Sequence, residues 1–110
     1  RGKHSRDWTY IDDIVQAIEK LLNKPIKPKK IPFNVFNIGS SNSYKLKDFI
    51  SLLERTLKIS PKIRYLDFQK GDVKDTYSNI GKLSKYINYK PKINLETGIK
   101  KFVKWYKEYY

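Results

Sequence analysis

The sequence contains no cysteine and no methionine, a single histidine and a single alanine. Without thiolates there is neither a disulfide framework nor a thiolate metal site. One imidazole, His4, does not make a zinc centre, so no metal is expected. No run approaches the eighteen apolar residues of a membrane span, and residues 1–7 are not a signal peptide. Neither a membrane partner nor export is expected. Acids are also scarce: 11 Asp and Glu stand against 24 Lys and Arg, a formal net charge of +13. No internal repeat or low-complexity block occurs.

What is present suits one modest domain. A chain of 110 residues is long enough for a single core and too short for two. Hydrophobic residues make up 39% and aromatics 15%, which supports folding despite 32% charge. The charge suggests a polyanionic partner. Its composition argues otherwise: 20 lysines accompany only 4 arginines, together with 13 Ile and 7 Asn. That is compositional drift, whereas a phosphate-reading surface favours the forked guanidinium. The chain opens at Arg1 rather than Met, which suggests a piece of a longer protein.

Periodicity gives the elements. Ile11, Ile14, Val15, Ile18, Leu21 and Leu22 recur at helical spacing behind Asp12 and Asp13, predicting a helix with a narrow buried stripe. Trp8-Thr9-Tyr10 reads as an extended lead-in. Three prolines and four lysines in residues 24–32 predict an exposed loop. Residues 33–38 alternate like a strand and end in a turn, Gly39-Ser40-Ser41-Asn42-Ser43. Leu46, Phe49, Ile50, Leu53 and Leu57 define a second helix, for which Lys45 is a poor cap. A short strand is expected over 63–68. Asn79 and Asn94 should cap two further helices, the last with Leu95, Ile99, Phe102, Val103 and Tyr106 inward. This order predicts an α/β class, with a short parallel sheet and about four helices.

No self-sufficient active site is visible. His4 lacks a nucleophilic partner and reads as solvated. Asp12 and Asp13 are adjacent on a helix start, so they read as cap and dipole acids. Gly39-Ser40-Ser41 lacks the glycine spacing and lysine of nucleotide loops, although free amides at a helix start can hold a phosphate. Lys100, Lys101, Lys104 and Lys107 interleave with Trp105, Tyr106, Tyr109 and Tyr110, as single-stranded nucleic-acid binding requires. A stand-alone basic nucleic-acid-binding module is therefore the alternative, weakened because Phe102 and Tyr106 belong on the apolar face.

The string Arg6-Asp7-Trp8-Thr9-Tyr10-Ile11-Asp12-Asp13-Ile14-Val15 resembles a segment of the extended short-chain dehydrogenase/reductases. These are the NAD-dependent nucleotide-sugar epimerases and dehydratases, and the likeness is greatest to UDP-glucuronate 4-epimerases. Phe36-Asn37-Ile38-Gly39 resembles the family's strand end. Leu46, Asp48, Phe49, Ile50, Leu53 and Glu54 resemble the next helix, and Gln69-Lys70-Gly71-Asp72-Val73 resembles its Q-P-G-D-V turn. Leu95, Gly98, Ile99, Phe102, Trp105 and Tyr106 resemble its closing helix. Each motif alone is weak, but five in order cover nearly the whole chain.

The resemblance implies that residues 1–110 form the C-terminal nucleotide-sugar-binding lobe of a larger cytoplasmic enzyme, with the Rossmann half outside this chain. It implies that Arg6 contacts the nucleotide diphosphate of a UDP-sugar, and that Gln69 and Asp72 face the nucleotide. Asn37 and Ser40 are expected to form the turn only. Lys70 replaces the family's proline. The glycine-rich NAD loop is not found here, and the Y-x-x-x-K spacing of Tyr86 and Lys90 runs into Pro91 and resembles the family's non-catalytic tail, so the resemblance implies that NAD binding and hydride transfer belong to the N-terminal half. This lobe would clamp UDP and perform no chemistry itself. The intact enzyme is expected to be a homodimer, and nucleic acid is not expected as a partner. A truncated lobe that folds without function is a third possibility.

Overall fold

The computed structural model of the chain describes residues 2–24 and 33–110. Its order is β1 (Ser5–Asp7), α1 (Ile11–Leu22), β2 (Ser43–Lys45), α2 (Leu46–Leu57), α3 (Gly81–Ile87) and α4 (Leu95–Tyr109). The α/β class and the four helices are as expected. The sheet differs in direction. β1 and β2 pair antiparallel, with Arg6 opposite Tyr44, and among the described residues parallel pairing survives only as an isolated bridge between Ser5 and Asp75.

Two expected strands are not formed. Residues 33–38 and 63–68 have no ladder partner among the described residues, and a strand exists only by pairing. The alternation at 33–38 still sorts the side chains: Phe36 and Ile38 pack inward while Phe33 and Val35 are exposed. The loop expected over 24–32 lies outside the described residues except for Lys24, whose Nζ donates to the Tyr86 carbonyl.

Helix ends follow the sequence at α2 and α4 and depart from it at α3, where Asn79 is not the N-cap. Asn94 caps α4 by accepting from the Thr97 amide at 2.8 Å. Lys45 starts α2 without a side-chain cap, and Lys58 ends it in the left-handed region, φ +57°. Asn79 accepts from the Gly81 amide at 3.0 Å, one residue ahead of the helix's own N-cap, Ile80.

The interior is split in two. Ala17 of α1 and Leu83, Ile87 and Tyr89 in and after α3 form one cluster, covered by Phe36 and Ile38. Leu95, Ile99 and Val103 of α4 form the other, covered by Trp8, Phe49, Leu52 and Leu53. Trp8 stacks on Phe49 with ring centroids 4.1 Å apart.

Two apolar stripes face outward instead of inward. On α1 only Ala17 and Asp13 are buried, while Ile11, Val15, Ile18 and Leu22 are exposed. On α4 the rings of Phe102 and Tyr106, expected inside, are about half exposed at 50% and 49%. The reason is geometric: α2 and Trp8 cover the first half of α4, and nothing among the described residues covers the rest.

Candidate functional site

Arg6 sits in the middle of β1, where pairing with Tyr44 fixes its backbone. Its guanidinium is held at three points. Nη1 donates to the carbonyls of Ser5 at 2.8 Å and Lys74 at 3.1 Å, and Nη2 donates to Asp72 Oδ1 at 2.8 Å. The pair joins residues 66 apart in sequence and is part-exposed, at 26% for Arg6 and 46% for Asp72. A pair this open adds little to stability. Its value is the placing of a fixed cation on the surface.

The turn at 69–72 supplies the carboxylate. Gly71 has φ +88°, which a side chain would strain, and the Asp72 amide donates to the Gln69 carbonyl at 3.2 Å. Asp72 Oδ1 also accepts from the Val73 amide at 2.9 Å. The Gln69 side chain lies exposed at the start of the turn. The structure thus brings Arg6 and Asp72 into contact, with Gln69 near them along the chain.

Asp7, the neighbour of Arg6, was not singled out by the sequence and is the local organiser. Its carboxylate accepts from the Ser40 hydroxyl at 2.6 Å and amide at 2.9 Å, the Ser41 amide at 3.0 Å, the Ser78 amide at 3.1 Å and Thr9 Oγ1 at 3.2 Å. Burial pushes this carboxyl up, and hydrogen bonds led by those from Ser40 outweigh it, leaving it below the ordinary carboxylate value. The Ser40 and Ser41 amides, candidates for a phosphate, are therefore occupied by the protein's own acid. Ser40 forms the turn, as expected.

Gly39 is fixed by the same contact. A Cβ there would stand 2.4 Å from Ser78 Cβ and 3.0 Å from Asp7 Oδ2. Its carbonyl accepts from the Tyr89 hydroxyl at 3.0 Å. Burial, with the charges of Asp13 and Asp7 behind it, pushes that phenol up to about 12. Asp13 is more than a dipole acid. Buried, it accepts from the Lys92 and Ile93 amides at 3.0 and 3.1 Å, tying α1 to the approach to α4. The R-D and N-I-G-S-S strings carried the only signal for this network. Asp12 stays exposed and pairs with Lys101 at 3.6 Å.

Arg6, Gln69 and Asp72 line neither of the two cavities beside Trp8. One, of about 280 Å³, is apolar and lies between Trp8, Tyr10, Phe49, Gly98, Ile99 and Phe102. The other, of about 120 Å³, is bounded by Trp8, Ser40, Asn42, Tyr44, Lys92 and Asn94. The aromatics of α4 contact one another: Trp105 lies 5.7 Å from both Phe102 and Tyr109, and Tyr106 stacks on Tyr110 at 5.2 Å. Among the described residues no group of acids and His could hold a metal.

The residues present do not fit a dinucleotide. The turn at 39–41 is closed at Gly39 by Ser78 and Asp7, and among the described residues no glycine-rich turn opens a helix.

Comparison with known proteins identifies the family. The sequence model of the family described as GDP-mannose 4,6 dehydratase matches residues 1–102. Protein CapI of Staphylococcus aureus is 38% identical over 122 residues, covering 99% of this chain and 36% of that protein. UDP-glucuronate 4-epimerase 2 of Arabidopsis thaliana is 39% identical over 118 residues, covering 99% of this chain and 27% of that protein. The crystal structure of UDP-glucuronic acid 4-epimerase from Bacillus cereus, in complex with UDP-glucuronic acid and NAD, superposes with a TM-score of 0.85 at 31% identity. It covers 99% of this chain and 34% of its own. The chain thus spans about a third of the length of its relatives. With the family's sequence pattern matched from Arg1 to Phe102, the chain belongs to the GDP-mannose 4,6 dehydratase family of nucleotide-sugar epimerases and dehydratases.

Proposed function

We propose that residues 1–110 are the C-terminal, UDP-binding lobe of an NAD-dependent nucleotide-sugar epimerase, of the type that inverts C4 of UDP-glucuronate. The observation that carries this is the meeting of Arg6 and Asp72 at 2.8 Å on an open surface. They come from the two motifs that the resemblance assigns to nucleotide binding. A forked guanidinium braced on one side suits a diphosphate, and the polar turn beside it suits the nucleoside end. Gln69 reaches the nucleotide from the same turn. The Bacillus cereus relative, crystallised with UDP-glucuronic acid, supports the substrate class.

NAD is held by sequence outside this chain, as the poor fit of residues 39–41 to a dinucleotide supports. The lobe binds and orients the UDP-sugar and screens it from water. Its nearest partner is the protein's own N-terminal Rossmann domain. The exposed stripe of Ile11, Val15, Ile18 and Leu22 and the unpaired segment 33–38 are surfaces such a domain would cover. The enzyme is cytoplasmic and homodimeric in this reading.

The test is to express the full-length gene product and supply UDP-glucuronate with NAD. Appearance of the C4 epimer supports the proposal. A folded product that binds no UDP-sugar overturns it.

A further inference from the structure

The geometry points to Asp72 as a positioning residue: it acts on the nucleotide through Arg6, and the two bind as one unit. This rests on the UDP-binding reading above and changes the role of Asp72 within it.

Three observations support the inference. First, Asp72 Oδ1 is fixed from its own side by the Val73 amide at 2.9 Å, in a turn that Gly71 holds at φ +88°. The carboxylate is thus set before any ligand arrives. Second, the same segment takes the other end of the guanidinium, since the Lys74 carbonyl accepts from Arg6 Nη1 at 3.1 Å. The segment is itself docked on β1. The Ser5 amide donates to the Lys74 carbonyl at 3.0 Å, the Thr76 amide donates to the Ser5 carbonyl at 3.1 Å, and Ser5 Oγ donates to Asp75 at 2.5 Å. Third, these bonds commit at most three of the five N–H groups of Arg6, leaving the remainder for an anion.

A long side chain on an open strand would otherwise lose rotamer freedom on binding. Holding it beforehand lowers that cost. A second negative charge beside a diphosphate is unfavourable unless it does something else, and here it orients the cation.

The experiment is a double-mutant cycle on the full-length gene product, reading the dissociation constant of UDP and the melting temperature of each variant. Arg6→Ala is expected to weaken UDP binding about tenfold or more. Asp72→Ala is expected to weaken it about tenfold when Arg6 is present, and less than about twofold in the Arg6→Ala background. Asp72→Asn, which keeps an acceptor for Arg6, should fall between wild type and alanine.

Equal losses in both backgrounds would show that Asp72 touches the nucleotide by itself or only braces the loop, and would overturn the positioning role alone. Tighter binding by Asp72→Ala would also overturn it, making Asp72 a competitor for Arg6. A wild type that does not bind UDP, or an Arg6→Ala variant that binds it unchanged, would remove the site reading and this inference together.

Discussion

Asp7 draws together three stretches of chain that are far apart in sequence, and Gly39 has no room for a methyl group at their junction. Gly39→Ala should therefore cost about 2 kcal/mol or more, because Ser78 must move and the Asp7 bonds move with it; thermal melting reads this directly. Tyr89→Phe leaves the Gly39 carbonyl without its buried donor and should cost about 1–2 kcal/mol. The same phenol makes an alkaline prediction. It ionises near 10 when unfolded and is pushed up to about 12 in the folded protein. Its contribution is complete below the unfolded value and is lost as pH rises toward the folded one. Melting temperatures over that window should fall more for wild type than for Tyr89→Phe. Asp7 works in the opposite direction: its folded value is lowered, so its contribution is present above the ordinary carboxylate value of 3.8 and is lost as pH falls below it. Asp7→Asn should melt lower than wild type near neutrality and lose less on acidification. At this scale the motifs in the sequence named Arg6 and Asp72, and the structure brings the two side chains together. The sequence was silent on Asp7 and Tyr89 and read Asp13 only as a cap and dipole acid, because a buried acid or phenol is recognised by what surrounds it, and apart from Thr9 beside Asp7 those partners lie 33 to 80 residues away.

Among the elements, helices were readable and strands were not. Each helix carries its own hydrogen bonds and its own period, so α1, α2 and α4 were visible in a single window of sequence. The segments 33–38 and 63–68 have the composition of strands, but strand formation needs a neighbour, and none is described. Which helical face is buried depends on the same fact. The period of α4 placed Phe102 and Tyr106 inside, yet the core ends near Val103. Ile99→Ala should therefore cost about 2–5 kcal/mol, whereas Phe102→Ala, already half in water, should cost about 1 kcal/mol. Equal shifts in melting temperature for the two would contradict this division. Asn94→Ala removes the cap on Thr97 and should cost about 1 kcal/mol.

The whole molecule is extended. Its radius of gyration is 17.2 Å, against about 13 Å for a compact chain of this length. Two small clusters replace one core, and apolar stripes on α1 and α4 face outward. If the stripe of α1 is a docking face, Val15→Glu with Ile18→Glu should leave the melting of the isolated 110-residue chain within about 0.5 kcal/mol. The same pair should prevent stable folding of the full-length protein, which far-ultraviolet circular dichroism on both forms would read. The charge of +13 carries no comparable architectural meaning. Lys100 and Lys101 are engaged with Glu96 and Asp12, and Tyr106 stacks on Tyr110.

The most direct measurement is a calorimetric titration of UDP into the full-length protein, with Arg6→Ala as the comparison and an oligonucleotide as the competitor. The account predicts saturable UDP binding that Arg6→Ala weakens by about 1–3 kcal/mol and that the oligonucleotide leaves unchanged. Undiminished UDP affinity in the variant, or displacement by the oligonucleotide with a steep dependence on salt, would contradict it.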